Sequence, residues 1–193
     1  MNKKTILLVF AMFGLPVVLA TLMHSQWLDW RPAETRNHGT LIRPVIEWTA
    51  EEVVDVSGQP VGREQLLNRW FLVFHTPELC GEECLDTLYW MRQIRLSQDR
   101  HVPDIGLLLI HEPEMPEELV SEVQALSDAF IMVDGSDARA LAQLFPSTTQ
   151  TGTRYILDPM ANIIMSYENE QSPNEIRKDL GRLLTWTQSQ SSM

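Results

Sequence analysis

The sequence predicts an α/β fold, a mixed sheet flanked by helices, behind one N-terminal transmembrane helix. Three observations predict it. Short apolar runs of strand length alternate with stretches whose apolar residues recur at helical spacing. Two strand-like segments near the C-terminus surround a turn, which makes the sheet mixed and not purely parallel. Ile6 to Met23 carry no charge.

That uncharged run of about eighteen residues is near the minimum for a helix crossing a bilayer core. Lys3 and Lys4 precede it, and the first charges beyond it are Asp29 and Arg31. The positive-inside rule then puts the N-terminus in the cytoplasm and exports the rest. A cleaved signal peptide is the rival reading, because Val18-Leu19-Ala20 resembles a small-residue cleavage site. The apolar run, however, outlasts a signal core of about 7–15 residues. Pro16 kinks such a helix without forbidding it. The expected layout is an anchor over 1–26, a linker over 27–50, the α/β domain over 51–188 and a flexible tail over 189–193. Trp27 to Pro44 reads as a polar tether with two prolines, and Trp27, Trp30 and Trp48 suit a membrane interface.

Within the domain, Val53 to Val56 and Pro60-Val61 flank the turn signal Ser57-Gly58-Gln59. Arg63 to Arg69 allows one or two helical turns. Trp70 to Phe74 is continuously apolar, as in a strand buried on both faces. Cys84, Leu88, Met91 and Ile94 recur at helical spacing and predict a helix over 82–98. Ile105 to Ile110 is the next buried strand. Pro116 opens a helix with Glu117 and Glu118 in its first turn, where the dipole favours acids. Phe130 to Val133 is a short strand, after which Ser136 caps a helix that stops at Pro146. Arg154 to Leu157 and Ile163 to Met165 form a hairpin around Asp158-Pro159-Met160-Ala161-Asn162. The last helix has Ser172 as N-cap, Pro173 at its first position and Glu175 to complete a capping box.

The formal charge is −11, which disfavours nucleic acid as a partner. No glycine-rich phosphate loop, Ser/His/Asp constellation or zinc spacing occurs. The methionines are scattered without a clustered metal motif. What remains is a thiol pair: Cys80 and Cys84 are the only cysteines in the chain, three residues apart. An apolar strand leads into them and a helix follows, a thioredoxin-type arrangement in which the helix N-terminus favours thiolates. Thiolates exchange disulfides and hold soft metals. A structural disulfide is the plain alternative, but so short a closed loop restrains the unfolded chain little. Cys80 is placed as the attacking thiol or first ligand, and Cys84 as the resolving thiol or second ligand. Glu82 and Glu83 oppose thiolate formation and suit reduction or metal binding better than strong oxidation.

Three segments carry a resemblance: Val54 to Val61, the strand ending in Cys-x3-Cys, and Tyr155-Ile156-Leu157-Asp158-Pro159 before a hairpin. Together they resemble the Sco/SenC family of membrane-anchored thioredoxin-like proteins that help assemble the copper centre of cytochrome c oxidase. Asn37 to Pro44 and Tyr89 to Arg95 further resemble the cytochrome oxidase-associated membrane proteins of proteobacteria. The resemblance implies a bacterial inner-membrane location with the C-terminal domain periplasmic. It also implies copper bound through Cys80 and Cys84, and an oxidase subunit or copper-delivery assembly factor as partner. The family's third copper ligand is a histidine just ahead of the strand equivalent to Tyr155-Ile156-Leu157, where this chain has Gln150 or Thr151. Its second cysteine is also normally followed by proline, here Leu85.

His75, five residues before Cys80, is the imidazole taken as a replacement ligand; its alternative is an ordinary packed or solvated strand-end residue. His111 reads as a loop residue before Pro113, although a parallel sheet brings it to the cysteine end. Three functions therefore stand: an oxidase assembly factor, a periplasmic thiol–disulfide oxidoreductase with other substrates, and a docking module whose cysteines are incidental.

Overall fold

The structure, a computed structural model, describes residues 3–4, 12–18, 21, 37–50, 53–146 and 152–191, with side chains in the last helix up to Thr185. The chain divides into two units, Met1–Arg36 and Asn37–Met193. In the first, residues 12–18 are helical. Among the described residues no helix is long and apolar enough to cross a membrane. Most of the expected span over 6–23, like Trp27 and Trp30, lies outside the described residues.

The second unit is built on a six-stranded mixed sheet. Its strands are β1 (Thr40–Glu47), β2 (Trp70–Thr76), β3 (Ile105–His111), β4 (Phe130–Asp134), β5 (Thr153–Leu157) and β6 (Asn162–Tyr167). They lie in the order β1-β6-β5-β2-β3-β4. The pairs β2/β3 and β3/β4 are parallel; β2/β5, β5/β6 and β1/β6 are antiparallel. The helices are α1 (Arg63–Leu66), α2 (Glu82–Leu96), α3 (Glu117–Leu126), α4 (Gly135–Ala142) and α5 (Pro173–Ser191).

β2 is the centre of this arrangement, and its alternating side chains feed two cores. Trp70, Leu72 and Phe74 face α2, α3 and α5, where Leu88, Met91, Ile94, Val123, Ile176 and Leu180 close one apolar layer. Phe71 and Val73 face the other layer with Leu66, Ala138, Leu141 and Tyr155. This two-sided burial explains why β2 and β3 read as unbroken apolar runs.

β1 is a correction to the expected linker over 27–50: Thr40–Glu47 is an edge strand paired with β6. The two prolines argued for a tether. At an edge, however, a proline needs no ladder partner, and Pro44 sits where the register slips between Leu41 and Ile46. Trp48 is also corrected from the membrane interface to the core. It is buried, its ring edge-on to Phe145 at 6.4 Å. The last helix runs to Ser191, past the boundary expected at 188.

α4 begins after Asp134, not Ser136, because Gly135 takes φ +60° and turns the chain directly into the helix. Asp134 is the N-cap residue but its side chain makes no cap bond; its Oδ2 accepts the amide of Met115. In α5, Pro173 is the first residue and the Glu175 carboxylate accepts the Ser172 amide at 3.0 Å, as the capping-box spacing predicts.

The predicted N-terminal hairpin shrinks to one bridge, Val54 to Pro60, with Gly58 at φ +81° in the turn. Asp55 organises that turn by accepting the amides of Ser57 and Gln59. The hairpin lies along β4, where the Val56 amide donates to the Met132 carbonyl at 2.9 Å. Across the sheet, buried Asp179 of α5 accepts the amides of His38 and Gly39 just ahead of β1.

Candidate functional site

Cys80 and Cys84 sit where β2 hands over to α2. β2 ends at Thr76, whose hydroxyl takes the Glu78 amide, and Pro77 cannot extend the strand ladder. Gly81 is the N-cap of α2, without a side-chain cap. Cys80 therefore precedes the helix and Cys84 lies in its first turn. The two are joined as a disulfide, with Cα atoms 5.1 Å apart. The sulfurs are not equivalent: Cys84 is buried against the α2 core, whereas Cys80 is half-buried at the rim.

A groove of about 270 Å³ opens beside the pair, floored by Phe74, Thr76 and Cys84 and walled by Gly152 and Asn169. Glu78, Glu82 and Glu83 on its lip are exposed, as is Leu79. The far wall is held by Arg154 of β5. Its Nη2 donates to the carbonyls of Glu168, Asn169 and Gln171 at 2.6–3.1 Å, fixing the turn into α5. Burial lowers the pKa of this guanidinium, while the nearby Tyr167 acts in the opposite sense. Gln150 and Thr151, at the family's histidine position, lie outside the described residues.

The structure brings Cys80 and Cys84 together but does not bring His75 to them. His75 follows Phe71 and Val73 onto the opposite face of the sheet, stacks on Phe145 and meets Glu112 through Nε2 at 2.8 Å. The expectation that His75 is a metal ligand is corrected by strand parity: residues 71, 73 and 75 share a face, and the cysteines pack against the face of 72 and 74. Among the described residues, with the disulfide closed, no cluster of three His, Cys, Asp or Glu side chains is arranged for a metal.

His111 is the histidine at the site. It ends β3 opposite Thr76 and is completely buried. Parity puts it on the cysteine face, with Ile105, Leu107 and Leu109. Its Nε2 accepts the Cys80 amide at 3.2 Å, and its Nδ1 donates to the Pro113 carbonyl at 2.7 Å. Those partners require the neutral ring with hydrogen on Nδ1. Its place at the site follows from the alternation along β3, which the sequence does not display. The uniform apolarity of the strand hides that parity.

The fold and the helix-start disulfide define a thioredoxin-like α/β domain. The chain belongs to the transmembrane-like, thioredoxin-like C-terminal domain family, whose sequence profile matches residues 70–187. Solved Sco structures share this fold. Apo Sco1 from Thermus thermophilus superposes with TM-score 0.60 at 15% identity, covering 80% of this chain and 99% of that one. Copper-bound ScoI from Arabidopsis thaliana gives 0.59 at 12% identity, covering 72% and 98%. BsSco, described with a disulfide switch and as a member of the Sco family of cytochrome c oxidase assembly proteins, gives 0.53 at 13% identity, covering 69% and 91%. No curated protein matches the chain in sequence.

Proposed function

We propose that this protein is a membrane-anchored accessory factor for cytochrome c oxidase assembly, with its thioredoxin-like domain on the periplasmic side of a bacterial inner membrane. It acts through Cys80 and Cys84, either carrying copper transiently as cargo or reducing the cysteines of its partner. The observation that carries this reading is the paired sulfurs at the open end of the sheet, one reachable and one buried. The Sco-like fold supports it, as do the basic N-terminus and the uncharged run that follows.

The pair suits both tasks. Reduced, it offers two soft thiolates at the spacing of one helical turn, a donor set that fits Cu(I). In the reductive task, the Cys80 thiolate attacks one sulfur of a partner disulfide, and the partner's other sulfur leaves as thiolate. Cys84 then attacks the Cys80 sulfur, re-forming the intramolecular disulfide and releasing the partner as a dithiol. Two electrons pass from the domain to the partner. The closed disulfide also supports a second reading, a periplasmic oxidoreductase with other substrates.

Anaerobic Cu(I) titration of the reduced protein, paired with oxidase assembly in a Cys80→Ser/Cys84→Ser strain, tests the proposal. The expected results are about one equivalent bound, as for a single two-thiolate site, and impaired assembly in the strain. Normal oxidase assembly without the sulfurs would overturn it. Catalysed reduction of unrelated disulfides, with no effect on an apo copper-site peptide, would favour the second reading.

A further inference from the structure

We infer that His111 is the positioning residue for the closing step of the thiol pair: by accepting the Cys80 amide, it holds an open Cys80 beside Cys84 so that the disulfide re-forms. This role rests on the reading above that Cys80 attacks and Cys84 resolves.

The segment 77–81 has little else to hold it. Pro77, Glu78, Leu79 and Gly81 are exposed, and Cys80 is half-buried. The Glu78 amide is bonded locally, to the Thr76 hydroxyl at 3.3 Å, and the Gly81 carbonyl accepts the Leu85 amide of α2. Among the described residues, one hydrogen bond ties the segment across to β3, from the Cys80 amide to His111 Nε2 at 3.2 Å. The other fastening is the disulfide. That fastening is gone whenever the pair is reduced or Cys80 carries a partner's sulfur.

His111 is suited to keep its bond when the disulfide opens. It is the one polar side chain in β3 and is completely buried. A buried acceptor that loses its donor incurs the full desolvation penalty, so the ring favours retention of the Cys80 amide. Nδ1 donates to the Pro113 carbonyl at 2.7 Å, which leaves the lone pair on Nε2. Both ring nitrogens are thus occupied, and the residue acts through the Cys80 backbone, not on the sulfur. His111 also stands opposite Thr76, and the Glu112 amide donates to the Thr76 carbonyl at 3.0 Å. The imidazole therefore rides on the same sheet end from which the segment departs. With the amide held, the Cys80 Cα stays near its present 5.1 Å from that of Cys84, inside the about 4.4–6.8 Å that a bridge spans.

In the closing step the Cys84 thiolate attacks the Cys80 sulfur of the mixed disulfide. The bond from Cys80 to the partner breaks, and the partner's sulfur leaves with the electron pair and takes a proton from solvent. Cys84 has already given its own proton to solvent. The rate of this intramolecular step depends on how often Cys80 lies within reach of Cys84. The first attack on the partner is bimolecular and does not involve Cys84. Holding the pair together also favours the closed form at equilibrium, which makes the dithiol a stronger reductant.

Stopped-flow reaction of the reduced full-length chain, in detergent, with dithionitrobenzoate tests this role, because each released thiolate is coloured. The first release reports attack by Cys80. The second, independent of reagent concentration, reports closure by Cys84. His111→Leu should slow the second release about tenfold and leave the first within about twofold, as expected when only an intramolecular step loses its positioning. Its reduction potential should rise by about 30 mV, the equivalent of tenfold for a two-electron couple. His111→Gln keeps an acceptor and should restore the second release to within about threefold of wild type. An unchanged second release in His111→Leu overturns the inference, as does a His111→Gln variant equally slow. If the variants fold poorly, 15N NMR of the reduced wild type decides: the coupling across the Cys80 N–H···Nε2 bond should persist, and its loss on reduction overturns the role. Each of these failures leaves the proposed function standing, since oxidase assembly in the double-serine strain tests that separately. A wild type with no concentration-independent second release overturns both this role and the reductive task.

Discussion

The hydroxyl of Tyr167 donates to the carboxylate of Asp179 at 3.1 Å, inside a core that leaves both side chains essentially without solvent. The same carboxylate receives the amides of His38 and Gly39 at 2.7 and 3.0 Å and the Arg182 guanidinium at 3.1 Å. A buried anion is tolerable only when its lone pairs are filled, and here four donors fill them. Gly39 is required at this point because a Cβ there would run into the Tyr167 ring. The start of the domain is therefore fastened to its last helix through one aspartate.

This relationship sets an alkaline stability limit. Burial, and next the Asp179 charge, push the Tyr167 hydroxyl far above its ordinary range. In the unfolded chain it ionises near pH 10, as is usual for tyrosine. A raised folded value means stability is complete below that pH and declines as pH rises through the range where only the unfolded form ionises. Tyr167→Phe should flatten this alkaline decline and cost about 1.5–3 kcal/mol at neutral pH, from one hydrogen bond to a charged group. Urea unfolding at pH 7 and above pH 10 reads both effects.

Arg154→Lys should loosen the turn at 168–171 by removing Nη2 from three carbonyls. Lysine cannot reproduce the planar fork. A loss of about 2 kcal/mol in urea unfolding is expected, from hydrogen bonds donated by a charged group. Hydrogen exchange should rise at the start of α5 before it rises in β5.

The unequal burial of the two sulfurs should appear as unequal reactivity. In the reduced protein, alkylation should modify Cys80 at least about tenfold faster than Cys84, since reactivity follows thiolate character and access. Peptide mapping after a short iodoacetamide pulse measures the ratio. Equal rates would contradict the division into an attacking and a resolving thiol.

Glu82 and Glu83 give the fourth prediction. Both are exposed in the first turn of α2 and lie between the two cysteines in sequence. Neutralising them as Glu82→Gln/Glu83→Gln removes negative charge that disfavours the thiolates. Alkylation of Cys80 at pH 7 should quicken several-fold, and the gain should shrink at high salt, as surface electrostatics do.

Much of the fold is legible in the sequence because local signals agree with tertiary packing. The Ser172-Pro173-Asn174-Glu175 start, the β2 apolar run and the Asp158 turn all form where expected. β1 is not legible, since its pairing with β6 depends on contacts across more than a hundred residues and its proline suggests a loop. The cysteine pair is legible from spacing alone. The choice between His75 and His111 is not: sequence distance favours His75, and only the side of the sheet separates them.

The two outermost strands of the sheet are both obstructed. β1 carries Pro44 and a register slip, and β4 has the 53–61 turn lying along it with Val56 bonded to Met132. Neither presents a long straight row of unpaired amides to a neighbour, the feature that drives edge-to-edge aggregation. Copies concentrated at high density can therefore collide without extending one another's sheet, and self-association through strand addition is blocked at both ends.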